Sequence, residues 1–349
     1  MLVMRIISLV PAGTEIVFAL GLERDVVAVS HECDYPPQAQ NLPRLTQSAV
    51  GGAPRTSAEI DAAVSARKAT GAPLYHIDAD QLTALAPDLI LTQGLCDVCA
   101  LPSRAVRTAL AYMSPRPAIV SLDGRSVDGV LESIVEIGRA TGQDTGAAEL
   151  VATLRERLHR VVSAVAGRPP VRVVCLEWLD PPYACGHWIP EMVRLAGGHD
   201  PLGRPGIPSV PIAWSAVRDA HAPNIIAMPC GYGLDRALRD VEAIAARTEW
   251  QDAVGDAAVY VAAGGGYFTR PGPRIVTGVE LLAASLHPDR VDWALPTDGL
   301  CRWPIERSTV SGNESLSHLV GRTAPAVPAL PVRRKLRLQI NRGCKQEWR

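Results

Sequence analysis

The segment 267–274, Tyr-Phe-Thr-Arg-Pro-Gly-Pro-Arg, gathers side chains suited to recognising a large, flat molecule with polar edges. Tyr267 and Phe268 offer apolar faces, Arg270 and Arg274 offer planar guanidiniums, and Pro271, Gly272 and Pro273 fix a rigid loop. The loop precedes a helical pattern whose N-terminus favours carbonyl or anionic groups, so the segment suits amide or phosphate recognition. Arginines that cap neighbouring loops are the structural alternative. Other aromatics fall at strand ends and in loops: Trp178, Tyr183, Trp188, Trp214 and Tyr232. All seven tryptophans follow residue 177. Strand C-termini in α/β chains are where ligands bind, which predicts a cleft for a planar ligand, with ordinary packing the alternative for any one member.

His31, Cys33 and the pair Cys96 and Cys99 follow candidate strands in the first third of the chain. These are zinc-ligand types, and they also suit a metal carried within a ligand. One Cys-x-x-Cys without a second pair equally suits buried or cleft-lining thiols, and a catalytic use of them on a metal complex is the enzymatic alternative. The phosphate-loop, nucleophile-elbow and His-Glu-x-x-His signatures are absent. Gly264, Gly265 and Gly266 follow a strand, but Tyr267-Phe268 comes next where a dinucleotide fingerprint needs a helix.

These residues need a scaffold, and the hydrophobic pattern supplies one. Apolar runs at 6–10, 26–29, 87–91 and 118–122 read as strands, separated by helical patterns at 15–20, capped by Thr14, and at 58–69 and 103–113. Strands alternating with helices predict a mostly parallel sheet covered on both faces. The same grammar returns with strands at 171–176, 224–228 and 258–261 and helices at 188–196, 214–222 and 274–286. Between the halves, Leu150, Leu154, Leu158, Val161, Val162 and Val165 mark a helix over 144–166, with Asp144 at its start and Gly167 at its end. At 1.5 Å per residue it spans roughly 35 Å, a strut that permits little hinge travel. The chain therefore reads as α/β: two Rossmann-like lobes, at 1–125 and 169–307, bridged by a linker at 126–168 holding one long helix. Residues 308–349, rich in Pro and then in Arg and Lys, predict a poorly ordered tail.

Composition narrows the partners. The 349 residues are 47% hydrophobic, and 35 Lys and Arg stand against 36 Asp and Glu, a net charge of −1. No strong field draws nucleic acid or an anionic membrane, so the expected partner is a small molecule and the expected state a monomer. The opening residues carry no secretory signal and no run is long enough to span a bilayer, which predicts a cytoplasmic protein with reduced thiols, or a periplasmic one if the true start lies upstream.

Taken together, the motifs resemble the vitamin B12-binding proteins of ABC importers, within the superfamily of B12, haem and siderophore binders. The resemblance runs from about residue 5 to 290 and rests on ordered motifs. In the first lobe they are Ile7-Ser8-Leu9-Val10-Pro11-Ala12-Gly13-Thr14-Glu15, Cys33-Asp34-Tyr35-Pro36-Pro37-Gln38 and Ala86-Pro87-Asp88-Leu89-Ile90-Leu91. In the second they are Glu177-Trp178-Leu179-Asp180-Pro181-Pro182, Gly186-His187-Trp188, Leu195-Ala196-Gly197-Gly198 and the 267–274 segment. It implies the class III substrate-binding architecture, no catalysis and no catalytic cofactor, with cobalamin held flat between the lobes and haem or a ferric siderophore as alternative ligands. Ligand contacts carried over by motif fall at Glu32, where relatives have an aromatic, at Tyr35, at Gln93 and Cys96, and at 266–270. Permease docking by one acid per lobe would place the first at Asp80 and the second near Ala216, where no acid stands.

Overall fold

The computed structural model describes residues 4–50, 55–95, 110 and 115–304. Cys96, Cys99, the helix expected at 103–113 and the tail from 308 lie outside them.

The chain opens with β1 (Ile6–Ser8), α1 (Pro11–Ala19) and β2 (Val26–Val29). A two-stranded antiparallel ribbon, β3 (Thr46–Ser48) and β4 (Tyr75–Ile77), then encloses α2 (Ser57–Thr70). Next come α3 (Ala79–Ala84), β5 (Leu89–Thr92), β6 (Ala118–Ser121) and α4 (Val127–Thr141). The first-lobe sheet has the order β2-β1-β5-β6 and is parallel throughout. Every residue of β1 and β5 is buried, as expected of strands covered on both faces.

α5 (Asp144–Val165) is the long helix, about 33 Å at 1.5 Å per residue. The second lobe follows as β7 (Val171–Leu179), β8 (Pro182–Ala184), α6 (Ile189–Leu195), β9 (Gly198–His199), β10 (Val210–Pro211), α7 (Trp214–Asp219) and β11 (Asn224–Ala227). It ends with α8 (Leu234–Ala245), α9 (Thr248–Val254), β12 (Ala258–Ala262), α10 (Gly264–Tyr267), α11 (Ile275–Leu286) and β13 (Leu300–Trp303). Its sheet runs β10-β8-β7-β11-β12-β13, with β9 also on β7. β7, β11 and β12 are parallel at the centre, while β8, β10 and β13 pair antiparallel at the flanks, so this second sheet is mixed.

Four local expectations are corrected. α1 starts at Pro11, not Glu15, because a proline at the first helical position is pre-set for helix. Thr14 is therefore internal, and its hydroxyl donates to the Cys33 sulfur at 3.1 Å instead of capping. Asp144 is the first residue of α5, next to an N-cap, Gln143, that makes no side-chain cap bond. The buried face of α5 is Ala147, Val151, Leu154, Leu158, Val161 and Val165, leaving Val162 40% exposed. Finally, the glycines after β12 do open a helical turn, and the first must be glycine there because a side chain on Gly264 would meet the Pro229 carbonyl oxygen at 2.2 Å.

One apolar cluster crosses the linker. It includes Ile6 and Ile16 of the first lobe, Val130 and Ile134 of α4, Leu154 of α5, and Val173 and Val279 of the second lobe. Arg157 and Arg160 of α5 both reach the buried carboxylate of Glu280 on α11, at 2.6 and 2.9 Å. The strut is thus fixed to the second lobe by both packing and charge.

Candidate functional site

A cavity of about 810 Å³ lies between the lobes. Its walls come from the C-terminal ends of parallel strands in both sheets: Val10 and Pro11 after β1, His31 and Glu32 after β2, Gln93 and Leu95 after β5, Trp178 of β7, Gly231 and Tyr232 after β11, and Thr269 to Pro271 after β12. That is where an α/β sheet leaves an open crevice. Trp188, Tyr183 and Tyr75 add aromatic surface, and the inner side of α2 adds Ile60, Asp61, Val64, Ser65 and Lys68.

The sequence-predicted residues divide into two sets. Glu32, Gln93, Trp178, Tyr183, Trp188, Thr269 and Arg270 line the cavity; Tyr35, Trp214, Gly266, Tyr267, Phe268 and Arg274 do not, and Cys96 lies outside the described residues. Phe268 is fully buried, and its carbonyl oxygen accepts the Trp188 indole N–H at 2.7 Å. The Tyr267 hydroxyl donates to Asp298 at 3.0 Å. Trp214 lies edge-on to Trp250, with ring centroids 5.4 Å apart, in the second lobe's own cluster. The aromatic pair expected as a ligand platform therefore supports the loop from behind.

The two loop arginines join the lobes. Arg274 donates from Nε and Nη2 to the two carboxylate oxygens of Glu15 at 2.9 and 2.6 Å, and lies 3.8 Å above the Tyr35 ring. Arg270 pairs with Asp34 and donates to the Glu32 carbonyl oxygen at 3.1 Å. Burial alone lowers the pKa of each guanidinium, but the facing carboxylates outweigh it and both stand above the ordinary arginine value. On the opposite side, α2 of the first lobe meets the second lobe through hydrogen bonds. Trp178 Nε1 donates to the Ser57 carbonyl oxygen at 3.2 Å, the Tyr183 hydroxyl to Asp61 at 2.8 Å, and the Ser57 hydroxyl to Asp240 at 2.7 Å. Arg236 Nη2 donates to the Arg55 carbonyl oxygen at 3.2 Å. Burial, then Asp61, pushes the Tyr183 hydroxyl up to about 12, so it remains a donor at neutral pH.

Two histidines face the cavity as neutral imidazoles, because burial lowers the pKa of both. His31 Nδ1 shares a hydrogen bond with Thr46 at 2.7 Å, and its Nε2 lies 3.5 Å from Glu32. His187 stacks on Trp188 from a left-handed backbone, φ 50°, and its buried Nε2 has no hydrogen-bond partner. Cys33 is fully buried, and burial raises its thiol pKa. Among the described residues no group of three His, Cys, Asp or Glu side chains is arranged to hold a metal ion. Asp80 is exposed in the first turn of α3.

The family model for periplasmic binding proteins matches residues 6–262. The chain belongs to the periplasmic binding protein family. Members of this family serve as binding proteins. A vitamin B12-binding protein of Vibrio cholerae serotype O1 is 26% identical over 198 residues, which is 56% of this chain and 59% of that protein. The chain thus matches a little over half the length of this relative. The solved periplasmic vitamin B12-binding protein of Vibrio cholerae superposes with a TM-score of 0.60 at 22% identity, covering 82% of this chain and 98% of that one. A periplasmic haem-binding protein from Pseudomonas aeruginosa superposes with a TM-score of 0.63 at 17% identity, covering 85% and 97%. At these identities the structural likeness shows the fold, two α/β lobes joined by a long helix.

The cavity also contains residues that the linear pattern does not single out as contacts, namely the whole α2 wall, Tyr75, His187 and Arg236. Thr56-x-x-Glu59 marks where α2 begins, since each side chain bonds the other's backbone N–H. Nothing in that box indicates which lobe the helix touches. Among the described residues no helix is long and apolar enough to cross a membrane.

Proposed function

We propose that this protein binds cobalamin or a related corrinoid in the interlobe cavity without transforming it. The observation that carries the reading is the cavity itself: large, formed by the strand ends of both lobes, walled by Trp178, Trp188, Tyr183 and Tyr75, and edged by Gln93, Thr269 and Lys68. Its volume falls in the upper part of the range of roughly 300–1,000 Å³ typical of small-molecule sites. Flat aromatic walls bury a macrocycle face, and scattered donors meet peripheral amides. The names of the sequence relatives support the same ligand class. Delivery to an ABC permease would use Asp80 on the first lobe; Ala216, half-buried in α7, offers no matching charge on the second.

A second reading, haem, is favoured by His31 and His187, two neutral imidazoles on the cavity wall. One titration separates the two. Reduced protein is titrated with hydroxocobalamin and, separately, with haemin, following tryptophan fluorescence and ligand absorption. Saturable 1:1 quenching by hydroxocobalamin at micromolar concentration is expected. No binding of it by folded protein at tens of micromolar, with haemin saturating the site, would replace the corrinoid reading by the haem one.

A further inference from the structure

The lobes are stapled on one side of the cavity and only latched on the other. The stapled side carries Arg274–Glu15, in which the carboxylate side chain is 3% exposed, and Arg270–Asp34. Whole-lobe separation would strip the buried Glu15 carboxylate of its partner, while α5 stays with the second lobe through Glu280. The latched side is α2. Among its residues only Ser57 is buried, and Ile60 packs against the second lobe's cluster. The ribbon from which α2 springs is held elsewhere, since Tyr75 and Ile77 of β4 pack with Leu45 and Leu82 of the first lobe. Among the described residues, the contacts that hold α2 down, a few hydrogen bonds and Ile60, lie on the second lobe.

We propose that α2 is a lid: it swings about the β3–β4 ribbon to admit a ligand, then re-docks through Ser57 and Asp61 while the lobes stay in place. The proposal rests on the cavity being the ligand site. Each hydrogen bond of the latch shifts the docked-to-open ratio by about fivefold, so the closed state dominates yet opens readily. Because Ile60, Asp61, Val64 and Lys68 face the cavity, an occupant touches the lid and favours its docked position.

The test is double electron–electron resonance on the full chain, with spin labels carried on non-canonical residues so that native cysteines are left alone. One pair, Ala66 on α2 and Arg239 on α8, reports the lid; the other, Glu23 and Asp219, reports the lobes, all four being exposed positions. In ligand-free protein the lid pair should show a main short distance and a minor longer one. Ser57→Ala combined with Tyr183→Phe should raise the long-to-short ratio about 30-fold while the lobe pair stays fixed. Hydroxocobalamin should restore the short distance. A single lid distance unchanged by the double substitution would overturn the proposal, and so would equal changes in both pairs, which would mean that the lobes themselves move. If the lid pair responds to the substitutions but hydroxocobalamin has no effect and does not bind, the corrinoid reading fails and the lid stands.

Discussion

The guanidinium of Arg274 is occupied by Glu15, which changes what a substitution there should do. As a ligand contact its loss would weaken binding; as the ion-pair partner, among the described residues, of a Glu15 side chain only 3% exposed, its loss leaves an uncompensated charge in the core. Arg274→Ala should therefore destabilise the fold by about 3–5 kcal/mol, read from urea denaturation. Adding Glu15→Gln should recover much of the loss, because the orphaned charge goes with it. Ligand affinity of whatever remains folded should change by less than about threefold, since Arg274 does not line the cavity; a large affinity loss at unchanged stability would return Arg274 to the ligand. Arg270 differs in that it both pairs with Asp34 and faces the cavity.

At the scale of elements, α4 and α5 form a tight antiparallel hairpin whose closest approach is set by one glycine. A Cβ on Gly138 would stand 2.4 Å from the Cβ of Ala147. Neither atom lies at the end of a flexible side chain, so the helices must separate. Gly138→Ala should cost about 1–3 kcal/mol in urea denaturation, despite the better helix propensity of Ala. A neutral or stabilising result would mean that the hairpin yields without loss of packing. The same pair shows what the sequence made legible. The long helix announces itself through leucines and valines at helical spacing, and β1, β5 and β7 through the short apolar runs Ile6-Ile7, Leu89-Ile90-Leu91 and Val173-Val174-Cys175-Leu176. α4 is harder to see although Val127, Val130, Leu131, Ile134 and Ile137 are buried, because its pattern merges with a stretch that reads as linker. The short flanking strands β8 and β10 contain prolines and two or three residues, too few for a period of two to register. In the site, Trp178 and Tyr183 are legible as aromatics at a strand end. Their hydrogen bonds to Ser57 and Asp61 span more than a hundred residues of sequence, and no local pattern encodes such a pairing.

At the scale of the molecule, the question is whether the lobes are one cooperative unit. The apolar cluster that runs from Ile6 through Leu154 to Val279 has no gap at the linker, and the buried pair Arg274–Glu15 joins α11 of the second lobe to α1 of the first. Two lobes joined only by a helix would be expected to melt separately, whereas a shared core couples them. The tryptophans make the distinction measurable: all seven follow residue 177, so their fluorescence reports nothing intrinsic to the first lobe, while far-ultraviolet circular dichroism reports both. The two signals should trace one urea transition with coincident midpoints. In Arg274→Ala they should separate if the buried pair is the main coupling, and stay together if the apolar cluster alone suffices. Separate midpoints in the unsubstituted protein would show the lobes to be independent, and a lid on one would then say little about the other. Coincidence also fixes how a ligand acts. At 100 times its dissociation constant it should raise the stability of the whole unit by about 2.7 kcal/mol, moving both signals equally, because a site built from the strand ends of both lobes disappears when either lobe unfolds.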